Sequence, residues 1–348
     1  MPIHHIDIEK FAETSSEYLV VDVRSPAEYA HAHIPDAVSI PLFSNEERKI
    51  IGTAYKRESR EKAVNLGLDF FSERMKKIPD EVHAILEKNK QKKILVHCWR
   101  GGMRSQTVAW LLSLYGHSIN VLDGGYKKYR NWVLAQFDKK YQLRILGGFT
   151  GSGKTELLET LGKSGYTTID LEALANHKGS AFGALGMSQQ PSQEMFENLL
   201  AMSLNNASIS DAIWLEDESR RIGSLSIPAI FWNQMHAADL FFLEIPAEQR
   251  VQFLLNYYGQ FSKEDLQESI LRLQKRLGGL DTQMAIQKLN ENDLKTCFEI
   301  LLRYYDKTYC KGLESRNMQA QQLIKIDCAS VSLQNAATLI QHTEKLKI

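Results

Sequence analysis

Leu143-Arg144-Ile145-Leu146-Gly147-Gly148-Phe149-Thr150-Gly151-Ser152-Gly153-Lys154-Thr155 fixes the architecture of the longer half of this chain. Its apolar start reads as a buried strand, and residues 156–161 continue as a helix. Between them lies G-x-x-x-x-G-K-[ST], a phosphate-binding loop in its expected strand–loop–helix setting. Glycines at 148, 151 and 153, with Thr150 and Ser152, let backbone N–H groups wrap a diphosphate. Lys154 reaches its outer oxygens, and the Thr155 hydroxyl is a candidate ligand for Mg²⁺. Downstream, residues 167–170 and 212–218 read as further strands ending in acids. Asp170, Glu216 and Asp217 are candidates to complete a cation site or, equally, to serve as caps and surface acids. Arg220 and Arg221 follow at once, placed either to grip a phosphate or to balance those acids.

Some fifty residues upstream stands a second anion cradle. Leu95-Val96-His97-Cys98-Trp99-Arg100-Gly101-Gly102-Met103-Arg104-Ser105 carries an apolar run into a cysteine, a glycine-bearing loop and a helix over 106–115. Backbone N–H groups and a helix N-terminus aimed at the sulfur favour its thiolate. Arg100 and Arg104 add fixed cations. Cys98 is therefore a candidate nucleophile, with Arg100 and Arg104 neutralising an anionic adduct.

Composition bounds the rest. With 348 residues the chain can hold two domains with real cores. Forty-two basic and 42 acidic side chains cancel, so any contact with nucleic acid needs a local patch. Cys98, Cys297, Cys310 and Cys328 lack paired spacing, which argues against a disulfide framework or a zinc site and suits a reducing cytoplasm. No leader is expected at residues 1–10, and no apolar run reaches membrane-spanning length. The local patch lies at 48–77, where nine Lys/Arg stand against four Asp/Glu. Arg48, Lys49, Lys56, Arg57 and Arg60 are candidates for RNA phosphates, with a solvated helix face as the alternative.

Asp22-Val23-Arg24-Ser25-Pro26-Ala27-Glu28-Tyr29, His33-Ile34-Pro35-Asp36-Ala37, the strand ending at Cys98 and Val121-Leu122-Asp123-Gly124-Gly125-Tyr126 together resemble a rhodanese domain. Ser25 and Pro26 read as the start of a helix, and Asp22 with Arg24 as a fold-supporting ion pair. Ala32 and Asp36 depart from that pattern, standing where glycines are common. So does the loop: His-Cys-x5-Arg-Ser is one residue longer than in typical sulfurtransferases and resembles that of cysteine phosphatases. The longer ring suits a tetrahedral oxyanion.

The expected fold is α/β: a rhodanese-like parallel-sheet domain at 1–138, then a P-loop NTPase-like α/β domain at 139–348 with a helical C-terminal part. Leu266, Ile270, Leu273 and Leu277 show the helical spacing, and Gly278-Gly279 a break.

Three further stretches are not generic to P-loop proteins: 170–183, 190–197 and Glu216-Asp217-Glu218-Ser219-Arg220-Arg221-Ile222-Gly223. With the two loops they closely resemble the bacterial tRNA 2-selenouridine synthases, nearly end to end. That resemblance implies a cytoplasmic transferase acting on tRNA, with no tightly bound cofactor and no membrane partner. Its substrates would be selenophosphate and geranyl diphosphate. The 2-thio sulfur of a wobble uridine would be geranylated, making it a leaving group, and then replaced by selenium. The P-loop would hold geranyl diphosphate and the Cys98 loop selenophosphate, with Cys98 either carrying a perselenide or acting after selenophosphate attacks the base. The alternative is a rhodanese-fold cysteine phosphatase or sulfurtransferase fused to a nucleotide-dependent RNA-binding P-loop domain.

Overall fold

The computed structural model describes residues 2–88, 93–207, 212–316 and 322–345. The chain forms two compact units, Met1–Gln136 with Ser192–Asn205, and Phe137–Pro191 with Asn206–Ile348.

The first unit is built on five parallel strands: β1 (Ile3–Ile6), β2 (Tyr18–Asp22), β3 (Val38–Ser39), β4 (Lys93–His97) and β5 (Ile119–Leu122), in the order β1-β5-β4-β2-β3. Every residue of β2 and all but the first of β4 are buried, as befits strands covered on both faces. Val21, Ile94, Val96, Val108, Leu112 and Val121 lie in one core cluster. The chain leaves β2 for β3 on one side and returns to β4 on the other. The Cys98 loop therefore emerges at the carboxyl end of a central strand beside a topological switch point, where open α/β sheets form their crevices.

After α1 (Ile8–Thr14), the residues read as a helix start at Ser25-Pro26 form α2 (Pro26–His31), with a complete capping box between Ser25 and Glu28. Asp36 adopts φ 62, the left-handed conformation that explains glycine at such a position and that aspartate tolerates. Ala32 is in ordinary extended backbone.

The basic segment folds as α3 (Asn45–Arg57) and α4 (Arg60–Arg74), followed by α5 (Lys77–Leu86). Helix α6 (Met103–Leu114) leads away from the Cys98 loop, and α7 (Gly125–Gln136) follows β5. A helix from far along the chain, Gln193–Asn206, completes this unit. Arg130 pairs with Glu197 at 2.6 Å and donates to the Asn198 side chain at 2.5 Å. The Tyr126 hydroxyl donates to Glu194 at 2.8 Å, and buried Asn198 donates to the His33 carbonyl at 2.8 Å. A division of the linear sequence at residue 138 does not anticipate this helix.

The second unit has its own five-stranded parallel sheet. Its strands are β6 (Leu143–Gly148), β7 (Thr168–Ile169), β8 (Ile213–Glu216), β11 (Asp239–Glu244) and β12 (Leu323–Asp327), in the order β12-β11-β6-β8-β7. A short antiparallel pair, β9 (Arg221–Ile222) and β10 (Leu225–Ser226), stands apart. Strand β6 is central and feeds the P-loop into α8 (Lys154–Lys163), again at a switch point. The helical part comprises Ala247–Tyr258, Lys263–Leu277, Gly279–Asn290 and Leu294–Ser315. Leu266, Ile270, Leu273 and Leu277 are buried together as their spacing predicts, and Gly278 at φ 94 ends their helix. Among the described residues no helix is long and apolar enough to cross a membrane. All four cysteines are free.

Candidate functional site

Cys98 leaves β4 buried, its sulfur 3.3 Å from the Ser105 hydroxyl. Burial pushes the thiol up. The Ser105 hydroxyl, the Arg104 charge and N–H groups of Arg100 and Ser105 outweigh it, and the net direction is down, toward the thiolate. Arg104 is itself held by Glu28 from α2 at 2.9 Å. Beneath the loop, the Tyr126 N–H donates to the Cys98 carbonyl at 2.8 Å and the Lys127 N–H to the Trp99 carbonyl at 2.9 Å. Gly125 permits that approach: a Cβ there would lie 2.4 Å from the Cys98 carbonyl oxygen. The Asp22–Arg24 pair is fully buried at 2.6 Å, with the Arg24 guanidinium 3.8 Å from the Tyr126 ring centroid. His97 is fully buried, and burial lowers its pKa, which keeps the imidazole neutral.

A cavity of about 600 Å³ opens over this loop, and helices α3 and α4 line it. Arg48, Ile51, Gly52, Tyr55 and Lys56 recur on one face of α3, at the spacing that brings side chains together on a helix. Arg60, Val64, Gly67, Leu68 and Phe71 continue the wall on α4, with Arg100 and Arg104 at the loop. Of the five basic residues read as RNA contacts, Arg48, Lys56 and Arg60 therefore face Cys98. Lys49 and Arg57 are exposed outside the lining.

In the second unit the P-loop turns as its glycines require. Gly151 has φ 81, and a Cβ there would lie 3.0 Å from the Arg250 carbonyl oxygen. Lys154 donates to the Gly148 carbonyl at 2.9 Å, and the Thr155 hydroxyl donates to Glu172 at 3.2 Å. Buried Arg250 holds the loop from behind: it donates to the Thr150 carbonyl at 3.1 Å and pairs with Asp306 at 2.7 Å.

The adjoining cavity, about 510 Å³, is lined by Gly148, Thr150, Gly151, Ser152, Gly153, Lys154 and Thr155, with Arg220 also on its wall. Beyond the cradle the lining turns aromatic and aliphatic: Trp232, Phe253, Leu254, Tyr257, Tyr258, Tyr305, Tyr309 and Leu313. Asp217 accepts from the Tyr309 hydroxyl and from Arg316, which commits it to the wall.

Asp170 caps the short helix Leu171–Ala175 through the Ala173 N–H at 2.7 Å, and neither it nor Glu216 lines the cavity. Glu216 accepts from the Glu172 N–H at 2.8 Å, and its Oε2 is buried without a hydrogen-bond partner. Arg221 lies on β9, exposed and off the lining, whereas Arg220 stands in the bend just before that strand. Burial, then repulsion from neighbouring carboxylates, raises Glu216 and Glu218 well above the usual range. Glu172 is raised chiefly by burial, with Lys154 pulling the other way. Sequence reading missed the buttress Arg250–Asp306 and the partners Glu28, Glu172, Glu218 and Tyr309. Glu28, Glu172 and Glu218 lie within quoted motifs; for Arg250, Asp306 and Tyr309 no local pattern marks them.

Comparison with known proteins gives a consistent result. Residues 141–332 match the family described as tRNA 2-selenouridine synthase AAA domain, and residues 8–131 match the rhodanese-like domain. A tRNA 2-selenouridine synthase of Nitrosomonas eutropha is 32% identical over 86% of this chain and 89% of its own length. Those of a Sulfurovum species and Shewanella denitrificans are 34% and 33% identical, over 85% and 90% of this chain and 88% and 92% of theirs.

Proposed function

The chain belongs to the tRNA 2-selenouridine synthase family, and from that premise we propose that it replaces the 2-thio sulfur of a tRNA wobble uridine by selenium in two steps, one at each loop. In the first, the thiocarbonyl sulfur attacks C1 of geranyl diphosphate. The C1–O bond breaks, diphosphate leaves and the base gives up its N3 proton. One observation carries this step: the P-loop, a diphosphate cradle, opens onto a wall of aromatic and aliphatic side chains suited to a prenyl tail.

Mg²⁺ fits beside that cradle. Glu172 and Glu218 are oxygen donors whose crowding a cation relieves, with the Thr155 hydroxyl alongside. Bound there, it would neutralise the leaving diphosphate.

In the second step selenophosphate attacks C2 through selenium and geranylthiol leaves, taking up a proton. The P–Se bond then breaks by attack on phosphorus, and N3 regains a proton. We assign that attack to the Cys98 thiolate, giving a phosphocysteine that water hydrolyses to thiol and phosphate. Forming a perselenide directly from selenophosphate would leave phosphorus reduced by two electrons, whereas phosphoryl transfer involves no redox change. The six-residue step from Cys98 to Arg104 and the charges of Arg100 and Arg104 suit a phosphate-sized anion. The reaction belongs in the cytoplasm, where tRNA is available.

The test uses the full chain, geranyl diphosphate, selenophosphate and a 2-thiouridine RNA, with nucleosides read by mass spectrometry. Lys154→Ala is expected to slow geranyl transfer by about 100-fold or more. Unchanged transfer, or RNA-stimulated ATP or GTP hydrolysis with no change in the base, would overturn the reading.

A further inference from the structure

The Cys98 cavity has more apolar wall than handling a small oxyanion requires. Tyr55, Leu68, Trp99 and Met103 are 63, 56, 37 and 58% exposed, and all four converge on this one cavity. Ile51 and Val64 extend the surface inward. Exposed apolar side chains gathered in one place mark a binding surface more often than chance scatter. The lining's charged groups are all cationic: Arg48, Lys56, Arg60, Arg100 and Arg104. The complementary occupant is thus a polyanion that also carries an apolar chain. Plain RNA supplies only the first, and a prenyl diphosphate carries its charge in one small group where RNA repeats it along a backbone.

We propose that this cavity is a second prenyl site, which seats the S-geranyl chain of the modified nucleoside against Ile51, Val64, Leu68 and Met103 while its C2 faces the Cys98 loop. This rests on the two-step reading above. The wall would make the prenyl chain a ticket of entry. A thiouridine that has skipped the first step lacks the group that holds it, so the order of the steps is enforced by binding. About fourfold in affinity is expected for each methylene removed from water, so three buried methylenes already give roughly 60-fold.

Protection of Cys98 from alkylation tests the site itself, independently of turnover. The full chain is treated with iodoacetamide in the presence of anticodon stem-loop RNA carrying S-geranyl-, S-methyl- or unmodified 2-thiouridine, and the Cys98 peptide is read by mass spectrometry. The S-geranyl RNA is expected to protect at a concentration roughly 60-fold below the S-methyl RNA. Leu68→Asp, at an exposed position that tolerates charge, should bring the two together, and Leu68→Met should restore the gap. Equal protection by geranyl and methyl RNA, or a gap that survives Leu68→Asp, overturns the proposal. A chain that transfers no geranyl group yet shows the gap would sink the two-step reading and leave the prenyl site standing.

Discussion

The Cys98 loop and the P-loop begin alike. Each leaves the carboxyl end of a buried central parallel strand, β4 or β6, turns through at least one left-handed glycine and enters a helix, α6 or α8. Both therefore offer backbone N–H groups and a helix N-terminus to an anion. They part in what surrounds the cradle. Around the P-loop cavity, Lys154, Lys178, Arg220 and Arg316 are matched by Glu156, Glu172, Asp217 and Glu218. Around Cys98 stand Arg48, Lys56, Arg60, Arg100 and Arg104, and none of the described lining residues is acidic. Glu28, off the lining, pairs with Arg104 at 2.9 Å and lies 3.8 Å from Arg48. One backbone device thus serves two electrostatic purposes. The balanced cavity suits a small diphosphate accompanied by a cation, and the cationic one suits a polyanion with no metal to help.

The sharpest way to break this division is at the nucleophile. Cys98→Ala should cut selenium incorporation from selenophosphate by on the order of 10³-fold or more, with geranyl transfer within twofold of the parent. Nucleoside mass spectrometry reads both, and a parallel fall in geranyl transfer would mean that the loops do not act separately.

Next comes the charge difference. Replacing Arg48, Lys56 and Arg60 together by alanine should flatten the dependence of log K on log salt for tRNA by about 2, if each cation meets one phosphate of a single-stranded loop. Removing Lys49 and Arg57, which lie off the cavity, should change that slope less; an equal change would make the whole basic face the footprint and dissolve the contrast.

A smaller effect tests the thiol. Ser105→Ala removes the largest influence lowering the Cys98 pKa, so the pH midpoint of iodoacetamide alkylation should move up and the rate below neutral pH fall several-fold. An unmoved midpoint would transfer the activation to Arg104 and the backbone.

The smallest is a stability change in the acidic cavity. The folded state holds Glu218 above its ordinary range, so the stability it costs accumulates as pH rises from the ordinary carboxylate value to the elevated one and is fully expressed above it. Glu218→Gln should raise the melting temperature by about 2–4 °C above neutral pH, for roughly 1 kcal/mol, and by less at pH 5. This is the direction in which functional residues commonly trade stability for use.

Both cradles are legible in the sequence because each is contiguous: strand, glycines, charged residue and helix follow within a dozen positions. Legibility fails wherever distance along the chain is long. Glu28 lies 76 residues from Arg104, and Asp306 lies 56 from Arg250, so neither pairing leaves a local pattern. The basic segment shows the intermediate case. Its charge is plain in composition, but which residues turn inward depends on helical phase: Arg48 and Lys56 share a face that Lys49 and Arg57 do not. Arg220 and Arg221 look interchangeable in sequence, yet Arg220, in the bend before β9, lines the cavity and Arg221, on the strand, does not.

The helix Gln193–Asn206 carries a consequence for biosynthesis. Its Asn198 is sealed into the first unit beside Tyr126, and Arg130 grips the helix at both Asn198 and Glu197. A ribosome that has finished residue 136 has therefore not finished this unit: some seventy further residues must emerge before the last piece arrives. Strand, P-loop and α8 are all translated while the Cys98 half waits with Arg130 unpaired from Glu197. The two halves cannot be completed in sequence, one after the other, and a gene cut between them would encode a first half missing a wall.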